Sequence, residues 1–358
     1  MKRALILAGG TGGHVFPALA VARALSQNAF EVVWVGTRKG IEARVVPAAG
    51  FPIEWITIQG LRRGSLLDWI RLPFRLAYAM WQAFRIIRRV RPHVALAMGG
   101  FASGPSALVA AMLRVPLVIH EQNATAGFTN RWLALVADEV LCGFPNAFGR
   151  LPGSKQVGNP VRPEIFALPH PDTRGIAAGR PLRLLVVGGS QGAAVFNKTV
   201  PEAVALMAPA LRPEVWHQTG RLQAVQTENA YRHIPMEAHV TPFIEDMAAA
   251  YAWADIVVCR AGAMTIAELS AAGIAAVLVP FPRAADDHQT ANARFLADRD
   301  AAVLLPQDQC TPQRLAELLQ GFSQNPQALE RMARQARACG APDATARVAQ
   351  YCVEAARA

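Results

Sequence analysis

Residues 4–14 read Ala-Leu-Ile-Leu-Ala-Gly-Gly-Thr-Gly-Gly-His, and a helical pattern follows from Pro17 to Leu25. The apolar run at 4–8 predicts a buried strand, and the glycines after it allow a sharp turn that brings bare N–H groups close to a ligand. The N-terminus of the next helix would add unsatisfied N–H groups and the positive end of its dipole. The stretch therefore predicts a strand, a turn and a helix that can seat a phosphate, with an ordinary tight turn as the alternative.

The same construction recurs half a chain later, where residues 184–192 read Leu-Leu-Val-Val-Gly-Gly-Ser-Gln-Gly. Strand-like apolar runs alternate with helix-length segments at 31–35, 94–97, 117–120, 139–141, 183–187, 214–218, 256–259, 276–279 and 302–304. This alternation predicts an α/β protein whose parallel sheets carry helices on both faces. We expect two doubly wound, Rossmann-like domains facing a cleft, 1–161 and 162–342, with the boundary in the proline-containing segment 157–163. The helical segment 343–358 could pack on the first domain, although periodicity does not choose between the two.

The positive charge of the chain is concentrated in one segment. The net charge is +10, from 36 Lys and Arg against 26 Asp and Glu, and eight arginines between Arg62 and Arg91 face one acid, Asp68. Large apolar residues interleaved with these arginines predict a surface that meets an anionic membrane. The residues that we expect at this surface are Trp69, Ile70, Phe74, Arg75 and Trp81. A core helix with a solvated basic face is one alternative, and nucleic acid is a weaker one because no recognised nucleic-acid motif supports it.

Other features of the composition narrow the class of protein. No run of eighteen apolar residues occurs, so we expect no membrane span. The five cysteines are scattered without C-x-x-C spacing, which predicts buried thiols in a reducing cytoplasm. No cluster of cysteine and histidine indicates zinc, and we predict no metal site.

Two further stretches in the first half bear on chemistry. Residues 98–105 read Met-Gly-Gly-Phe-Ala-Ser-Gly-Pro, a second glycine turn on the sheet edge that carries the first, which suggests a diphosphate or a long ligand. His14 lies at the mouth of the first turn, where an imidazole can accept a proton at neutral pH. Residues 120–123 read His-Glu-Gln-Asn and follow a predicted strand, so His120 and Glu121 form either an acid/base pair or a structural hydrogen-bond network.

The second half repeats strand, turn and helix at 256–268, which read Ile-Val-Val-Cys-Arg-Ala-Gly-Ala-Met-Thr-Ile-Ala-Glu. Glu268 could accept hydrogen bonds from both ribose hydroxyls of a nucleotide whose phosphates lie at the helix N-terminus; an exposed helical glutamate is the alternative. The segment 280–292 is rich in groups that bind hydroxyls, which is typical of a sugar site rather than of a hydrolase. Its adjacent acids, Asp286 and Asp287, are interpreted as a loop and helix-cap feature.

Taken in order, the motifs at 9–17, 98–105, 120–123, 158–162, 188–193 and 260–268 resemble the MurG family of bacterial glycosyltransferases, over essentially the whole chain. The resemblance implies a two-domain GT-B fold and an inverting transfer of N-acetylglucosamine from UDP-N-acetylglucosamine to lipid I. The acceptor group is the C4 hydroxyl of N-acetylmuramic acid in undecaprenyl-pyrophosphoryl-N-acetylmuramoyl-pentapeptide, and the product is lipid II for peptidoglycan synthesis. It also implies a peripheral protein on the cytoplasmic face of the plasma membrane, with lipid I on the first domain and the donor mainly on the second. No cofactor is implied as required, and the need for a divalent cation stays open.

The resemblance also implies roles for individual residues. Those that would bind UDP-N-acetylglucosamine are Thr11, Gly12, Gly13, Asn123, Arg162, Ser190, Ile244, Ala263, Met264, Thr265, Ile266, Ala267, Glu268 and Gln289. Those that would admit the pyrophosphate of the acceptor are Gly10, Gly13, His14, Gly99, Gly100, Ser103 and Gly104. His14 is the first candidate for the general base and Glu121 the second, while the helix N-terminus at Ala263 and the Ser190 loop would meet the charge of the leaving diphosphate.

Three other classes of protein are alternatives to a glycosyltransferase. A UDP-sugar epimerase can share the architecture, but it has no use for the basic apolar segment. A nucleotide-dependent oxidoreductase would show G-x-G-x-x-G spacing and an acid after the second strand, whereas Val35 is followed by Gly36, Thr37 and Arg38. A membrane-binding module without catalytic activity would not require three glycine turns.

Overall fold

The structure is a computed structural model that describes residues 1–58, 66–149, 151–176, 179–189, 192–282 and 287–357. The side chains of residues 66–70 are outside this description, so the predictions for Ser190 and for the side chains of Trp69 and Ile70 lie outside the described residues. The chain divides into two compact units. The first unit is Met1–Arg162 together with Asp343–Ala358, and the second unit is Pro163–Pro342.

A seven-stranded sheet forms the centre of the first unit, with all its strand pairs parallel. Its strands are β1 (Lys2–Ala8), β2 (Phe30–Gly36), β3 (Ile53–Trp55), β4 (Val94–Gly99), β5 (Leu117–Glu121), β6 (Glu139–Cys142) and β7 (Lys155–Gln156). Their order across the sheet is β3-β2-β1-β4-β5-β6-β7. The helices are α1 (Gly12–Gln27), α2 (Glu42–Ala48), α3 (Leu66–Val90), α4 (Ser103–Met112) and α5 (Phe128–Leu133).

Strand β1 shows why this sheet is covered on both faces. Alternate side chains of a strand point to opposite faces. Ala4 and Ile6 belong to a core shared with α1, and Leu5 and Leu7 belong to a second core shared with α3 and α4. All four residues are buried, which explains why the strand reads as an uninterrupted apolar run.

The second unit contains a six-stranded sheet, again with all its strand pairs parallel. Its strands are β8 (Arg183–Val187), β9 (Glu214–Gln218), β10 (Ala238–Thr241), β11 (Ile256–Cys259), β12 (Ala275–Leu278) and β13 (Val303–Leu304), in the order β10-β9-β8-β11-β12-β13. Its helices are α6 (Pro163–Phe166), α7 (Ala194–Leu206), α8 (Ala224–Tyr231), α9 (Met247–Trp253), α10 (Ala263–Ala272), α11 (His288–Ala297), α12 (Pro312–Gln324) and α13 (Pro326–Ala338).

The last helix, α14 (Ala344–Ala355), returns to the first unit. Its buried residues Val348, Ala349 and Cys352 share a core with α1 and β1. Apolar contact with α1 therefore decides where this segment packs.

The predicted fold class is confirmed, because both units are doubly wound α/β sheets. In each sheet the strand order reverses beside the first strand, between β1 and β4 and between β8 and β11. Ligands of such sheets bind at these switch points, beyond the carboxyl ends of the strands. The turns that follow β1, β4, β8 and β11 are the four glycine-containing motifs that the sequence singles out.

Several predicted boundaries were wrong. The helix after the first turn begins at Gly12 rather than Pro17, and Pro17 lies buried inside it. Strands β3, β7 and β10 were not predicted; each lies at a sheet edge, where side chains are only partly buried and no continuous apolar run forms. Strand β5 extends one residue past the predicted run 117–120, so Glu121 lies in the strand rather than in the loop after it, and both His120 and Glu121 are buried.

Candidate active site

The turn after β1 is three residues long, because α1 begins at Gly12. Gly10 has a φ of +90°, a conformation that favours glycine. Thr11 is the N-cap of α1 but makes no capping hydrogen bond with its side chain. Gly12, Gly13 and His14 form the first helical turn, so the sequence motif ends in a helix start that carries an imidazole.

The turn after β4 packs directly against the turn after β1. The Gly9 N–H donates to the Gly99 carbonyl at 3.4 Å, and a Cβ at Gly100 would overlap the Gly9 carbonyl oxygen. A Cβ at Gly99 would lie 2.8 Å from Cδ2 of His14, so the imidazole rests on the backbone of that glycine. Thr11 Oγ1 lies 3.4 Å from His14 Nδ1. The two turns thus form one surface with His14 in it.

Helix α4 starts just beyond the second turn. Ser103 is its first residue and is fully buried, and within the described part of the chain its hydroxyl has no hydrogen-bond partner. Gly104 approaches Thr129 closely, since a Cβ there would lie 3.0 Å from Cγ2 of that residue. The residues predicted to contact the acceptor pyrophosphate therefore lie together beyond the carboxyl ends of β1 and β4.

Glu121 uses both carboxylate oxygens inside the first unit. Oε1 accepts from the backbone N–H of Asn123 at 2.9 Å and from its side-chain amide at 3.0 Å. Oε2 accepts from the Gly127 N–H at 3.1 Å and from the Asn130 amide at 2.8 Å. These four bonds favour a role in holding Asn123 over the role of proton acceptor that the sequence suggested.

His120 lies in a buried hydrogen-bond network. Its Nε2 is 2.9 Å from the Gly158 carbonyl, and the Gln122 amide is 3.2 Å from its Nδ1. Burial lowers the pKa of His120 to about 4, against the opposing effects of the Gly158 carbonyl and the Glu121 charge. The side chain is therefore neutral at pH 7, and the network fits better than an acid/base pair.

In the second unit, the turn after β8 is shaped by backbone contacts. Gly189 and Gly192 have φ values of +84° and +74°. A Cβ at Gly192 would overlap the Thr219 carbonyl oxygen, and a Cβ at Gly188 would lie 2.8 Å from the Gly192 carbonyl carbon. Helix α7 then begins at Ala194.

The turn after β11 leads straight into α10. Gly262 is the N-cap, no side chain caps the helix, and no acid lies in its first turn, which is how an anion-binding helix start is built. The predicted run Ala263–Glu268 forms the first six residues of this helix. Glu268 Oε2 accepts a hydrogen bond at 3.1 Å from the hydroxyl of buried Tyr251.

The remaining predicted donor residues lie at several places. Ile244 is buried after β10, and Gln289 in α11 accepts the Phe281 N–H at 2.9 Å through Oε1. Arg162 is the last residue of the first unit and is half-buried. Asp287 is the N-cap of α11, as interpreted, and accepts from the Thr290 hydroxyl at 2.7 Å; Asp286 is outside the described residues.

Sequence reasoning missed two charged residues beside these turns. Arg260 donates to the Val279 and Pro280 carbonyls at 3.1 and 3.2 Å, which fixes a positive charge at the end of β11. Glu42 is fully buried beneath the first glycine turn. The signal for Glu42 was the pair of glycines, Gly36 and Gly40, that precede it.

Three neighbouring helices of the first unit, α3, α4 and α5, expose large apolar side chains. Their exposed members are Phe74, Tyr78, Trp81, Phe84, Leu108, Met112, Phe128 and Trp132. Phe74 is 75% and Trp81 50% exposed, and the guanidinium of Arg85 lies 5.1 Å from the Trp81 ring centroid. Arg75 is also exposed.

Two features are absent from the described ranges. There, no helix has the length and apolarity needed to cross a membrane. Across the same ranges, histidine, cysteine, aspartate and glutamate form no group of three or more that could hold a metal ion.

The chain is similar in sequence to known glycosyltransferases. The N-terminal domain model of glycosyltransferase family 28 matches residues 4–142, and its C-terminal domain model matches residues 183–348. A protein of Alkalilimnicola ehrlichii named UDP-N-acetylglucosamine–N-acetylmuramyl-(pentapeptide) pyrophosphoryl-undecaprenol N-acetylglucosamine transferase is 54% identical over 99% of both chains.

Two solved structures share the fold of this chain. The crystal structure of Acinetobacter baumannii MurG matches 99% of this chain and 100% of its own, with a TM-score of 0.86 and 40% identity. A UDP-GlcNAc 2-epimerase from Neisseria meningitidis has a TM-score of 0.69 at 12% identity, covering 99% and 100% of the two chains. That second likeness shows a shared fold alone.

Proposed function

Because the chain belongs to glycosyltransferase family 28, we propose that it transfers N-acetylglucosamine from UDP-N-acetylglucosamine to lipid I, which gives lipid II for peptidoglycan synthesis. The observation that carries the proposal is the 54% identity, over 99% of both chains, to a transferase named for this reaction. The switch-point turns would supply the groups that such a reaction needs.

The donor would bind mainly to the second unit. The uncapped N-terminus of α10 at Ala263 would stabilise the diphosphate, and this stabilisation is in place before the reaction because the helix dipole is fixed. Glu268, oriented by the Tyr251 hydroxyl, would accept hydrogen bonds from the ribose, and the backbone at Ile244 would meet uracil. Gln289 and Asn123 would contact the donor sugar, the latter held by Glu121.

The acceptor would bind to the first unit, with its pyrophosphate against the turns at Gly9–Gly10 and Gly99–Gly104. The C4 hydroxyl of N-acetylmuramic acid attacks the anomeric carbon from the face opposite UDP. A new C–O bond forms as the bond to the UDP oxygen breaks, and the α-linkage becomes β. His14 would act in the tautomer that carries its proton on Nδ1, where it faces Thr11 Oγ1. Nε2 would then accept the proton of the attacking hydroxyl.

The protein would act on the cytoplasmic face of the plasma membrane as a peripheral protein. The exposed rings of α3, among them Phe74 and Trp81, would enter the membrane interface, and neighbouring arginines such as Arg75 and Arg85 would meet anionic lipid. This surface belongs to the unit that would bind the lipid-linked acceptor. Acceptor binding and membrane contact would thus belong to the same unit.

One assay tests the reaction against the epimerase alternative. The native protein is incubated with radiolabelled UDP-N-acetylglucosamine and a short-chain lipid I analogue, and products are separated by chromatography. We expect a labelled lipid-linked disaccharide and UDP. An isomerised UDP-sugar without any labelled lipid would overturn the proposal in favour of an epimerase.

A further inference from the structure

We propose that Glu42 is a positioning residue that fixes the turn Gly9–Thr11 and, through it, the His14 imidazole. The inference rests on the proposed function, since it assigns Glu42 a role in the transfer step. Glu42 would touch neither substrate; it would act through the backbone of the turn.

The carboxylate of Glu42 joins two loops that follow adjacent strands. Oε2 accepts the Gly10 N–H at 2.9 Å, just beyond β1. Oε1 accepts the Thr37 N–H at 2.9 Å and the Thr37 hydroxyl at 2.8 Å, just beyond β2. Gly10 is therefore held by a charge-assisted hydrogen bond, which is stronger than one between neutral groups.

Three glycines make room for this side chain. A Cβ at Gly9 would lie 2.6 Å from Glu42 Oε1, and one at Gly36 would lie 2.7 Å from Cγ. A Cβ at Gly40 would overlap the carboxylate itself. Gly9, which the motif suggests is needed for a ligand, is thus a glycine because a protein side chain lies beneath it.

On its other side the turn is held by the loop after β4. Gly9 donates to Gly99, and Gly100 leaves no space for a side chain against the Gly9 carbonyl. The turn then passes to Thr11, whose carbonyl accepts the His14 N–H at 3.2 Å. A shift of Gly10 would therefore move the start of α1 and the imidazole with it.

Complete burial is unusual for a glutamate that lacks a cationic partner. Glu42 is 0% exposed, and among the described residues no cation pairs with it. Burying a charge without a counter-charge is unfavourable, although its position at the start of α2 offsets part of that cost. A glutamine of the same shape would remove the charge, but its amide group would face an N–H donor.

The first test replaces Glu42 by Gln and measures kcat, both KM values and the urea-induced unfolding midpoint. We expect kcat to fall about 10- to 100-fold, because a small displacement of a catalytic group has effects of that size. We expect the KM for UDP-N-acetylglucosamine to stay within about threefold, because its proposed contacts other than Thr11, Gly12 and Gly13 lie away from this turn. Glu139→Gln is the matched control: Glu139 pairs with Lys155 at 2.7 Å, away from the turn, and its loss should leave kcat unchanged. A kcat for E42Q within twofold of the native value would overturn the proposal.

A double-mutant cycle guards against a folding defect. Gly9→Ala should reduce kcat strongly in the native background, yet add less than twofold to the loss in Glu42→Ala, where the space is open. Independent losses that multiply would contradict the proposal.

The His14 imidazole resonance, followed by NMR, should shift in E42Q and not in E139Q. This measurement remains informative even if the native protein forms no lipid-linked disaccharide, a result that would refute the proposed function alone. An unshifted resonance would refute the positioning role.

Discussion

The two glycine turns that follow β1 and β8 look alike in sequence but are built differently. In the first, a buried carboxylate, Glu42, lies under Gly9 and binds Gly10. In the second, the space beside Gly192 is filled by the Thr219 carbonyl, a backbone group. The first turn leads directly into a helix whose first turn holds His14, whereas α7 starts with Ala194 and Val195.

This difference fits separate tasks for the two turns in the proposed reaction. A buried carboxylate holds the first turn and an imidazole follows it, which fits the proton transfer proposed for His14. Gly188 and Gly192 of the second turn pack against backbone groups, and backbone N–H groups at a helix start suit an anionic ligand. A glycine repeat in a sequence therefore predicts the same succession of strand, turn and helix twice, but not the same neighbours around each turn.

The largest expected effect comes from removing the imidazole of the first turn. His14→Ala should lower kcat about 10²- to 10⁴-fold, the contribution of a general base, with UDP-N-acetylglucosamine affinity nearly unchanged. Steady-state kinetics and direct titration of the donor measure the two quantities. His93→Ala, an exposed histidine before β4, is the control. Unchanged turnover of His14→Ala would remove this residue from the role of base and with it the contrast between the turns.

The next largest effect concerns membrane binding, which we expect from the surface of the first unit and not from that of the second. Replacing both Phe74 and Trp81 by Ser should weaken binding to anionic vesicles about 30-fold or more, because two exposed rings would no longer be buried in the interface. Vesicle sedimentation at several salt concentrations measures it. Leu222→Ser, fully exposed in the second unit, is the control and should change nothing. Binding that persists in the double variant and ignores salt would refute a membrane role for α3.

The sequence predicted those features of the two turns that depend on neighbouring residues, and missed those that depend on residues far away in the chain. Strand β1, its turn and the repeat at β8 were predictable because apolar runs and glycines are local features. The bond from Glu42 to Gly10 was not predictable, since it spans 32 residues: Gly36 and Gly40 indicate a close approach near Glu42 but do not identify Gly10 as its partner. Glu121 was recognised as a candidate base, but whether its oxygens were already engaged depended on Gly127 and Asn130, which fold back on it.

Acid should destabilise the support of the second turn. His217 lies between Tyr231 and Asn197, and Asn197 donates to the Thr219 carbonyl that Gly192 packs against. Burial lowers the pKa of His217 from 6.5 to about 3, so the unfolded chain takes up a proton first as the pH falls below 6.5, and stability is lost down to pH 3. This histidine alone should remove about 2 kcal/mol between pH 7 and pH 5.

Urea-induced unfolding at the two pH values tests this expectation. His217→Gln should reduce the pH-dependent loss of stability by about 2 kcal/mol, since glutamine does not titrate. His233→Gln, an exposed histidine of the same unit, should keep the native dependence. An unchanged dependence in His217→Gln would mean that this network does not carry the acid sensitivity.

The smallest effects should distinguish the turns most directly. Gly10 and Gly189 have similar φ values, +90° and +84°, and a Cβ at either would meet nothing within 4 Å. Alanine at each position should therefore cost a similar amount, about 1 kcal/mol, from backbone conformation alone.

The kinetic effects of the two variants should differ, because the first turn is proposed to act in the transfer step and the second turn in donor binding. Gly10→Ala should lower kcat roughly threefold with the donor KM unchanged, and Gly189→Ala should raise the donor KM roughly threefold with kcat unchanged. Equal effects of the two variants on both constants would show that the turns share one task.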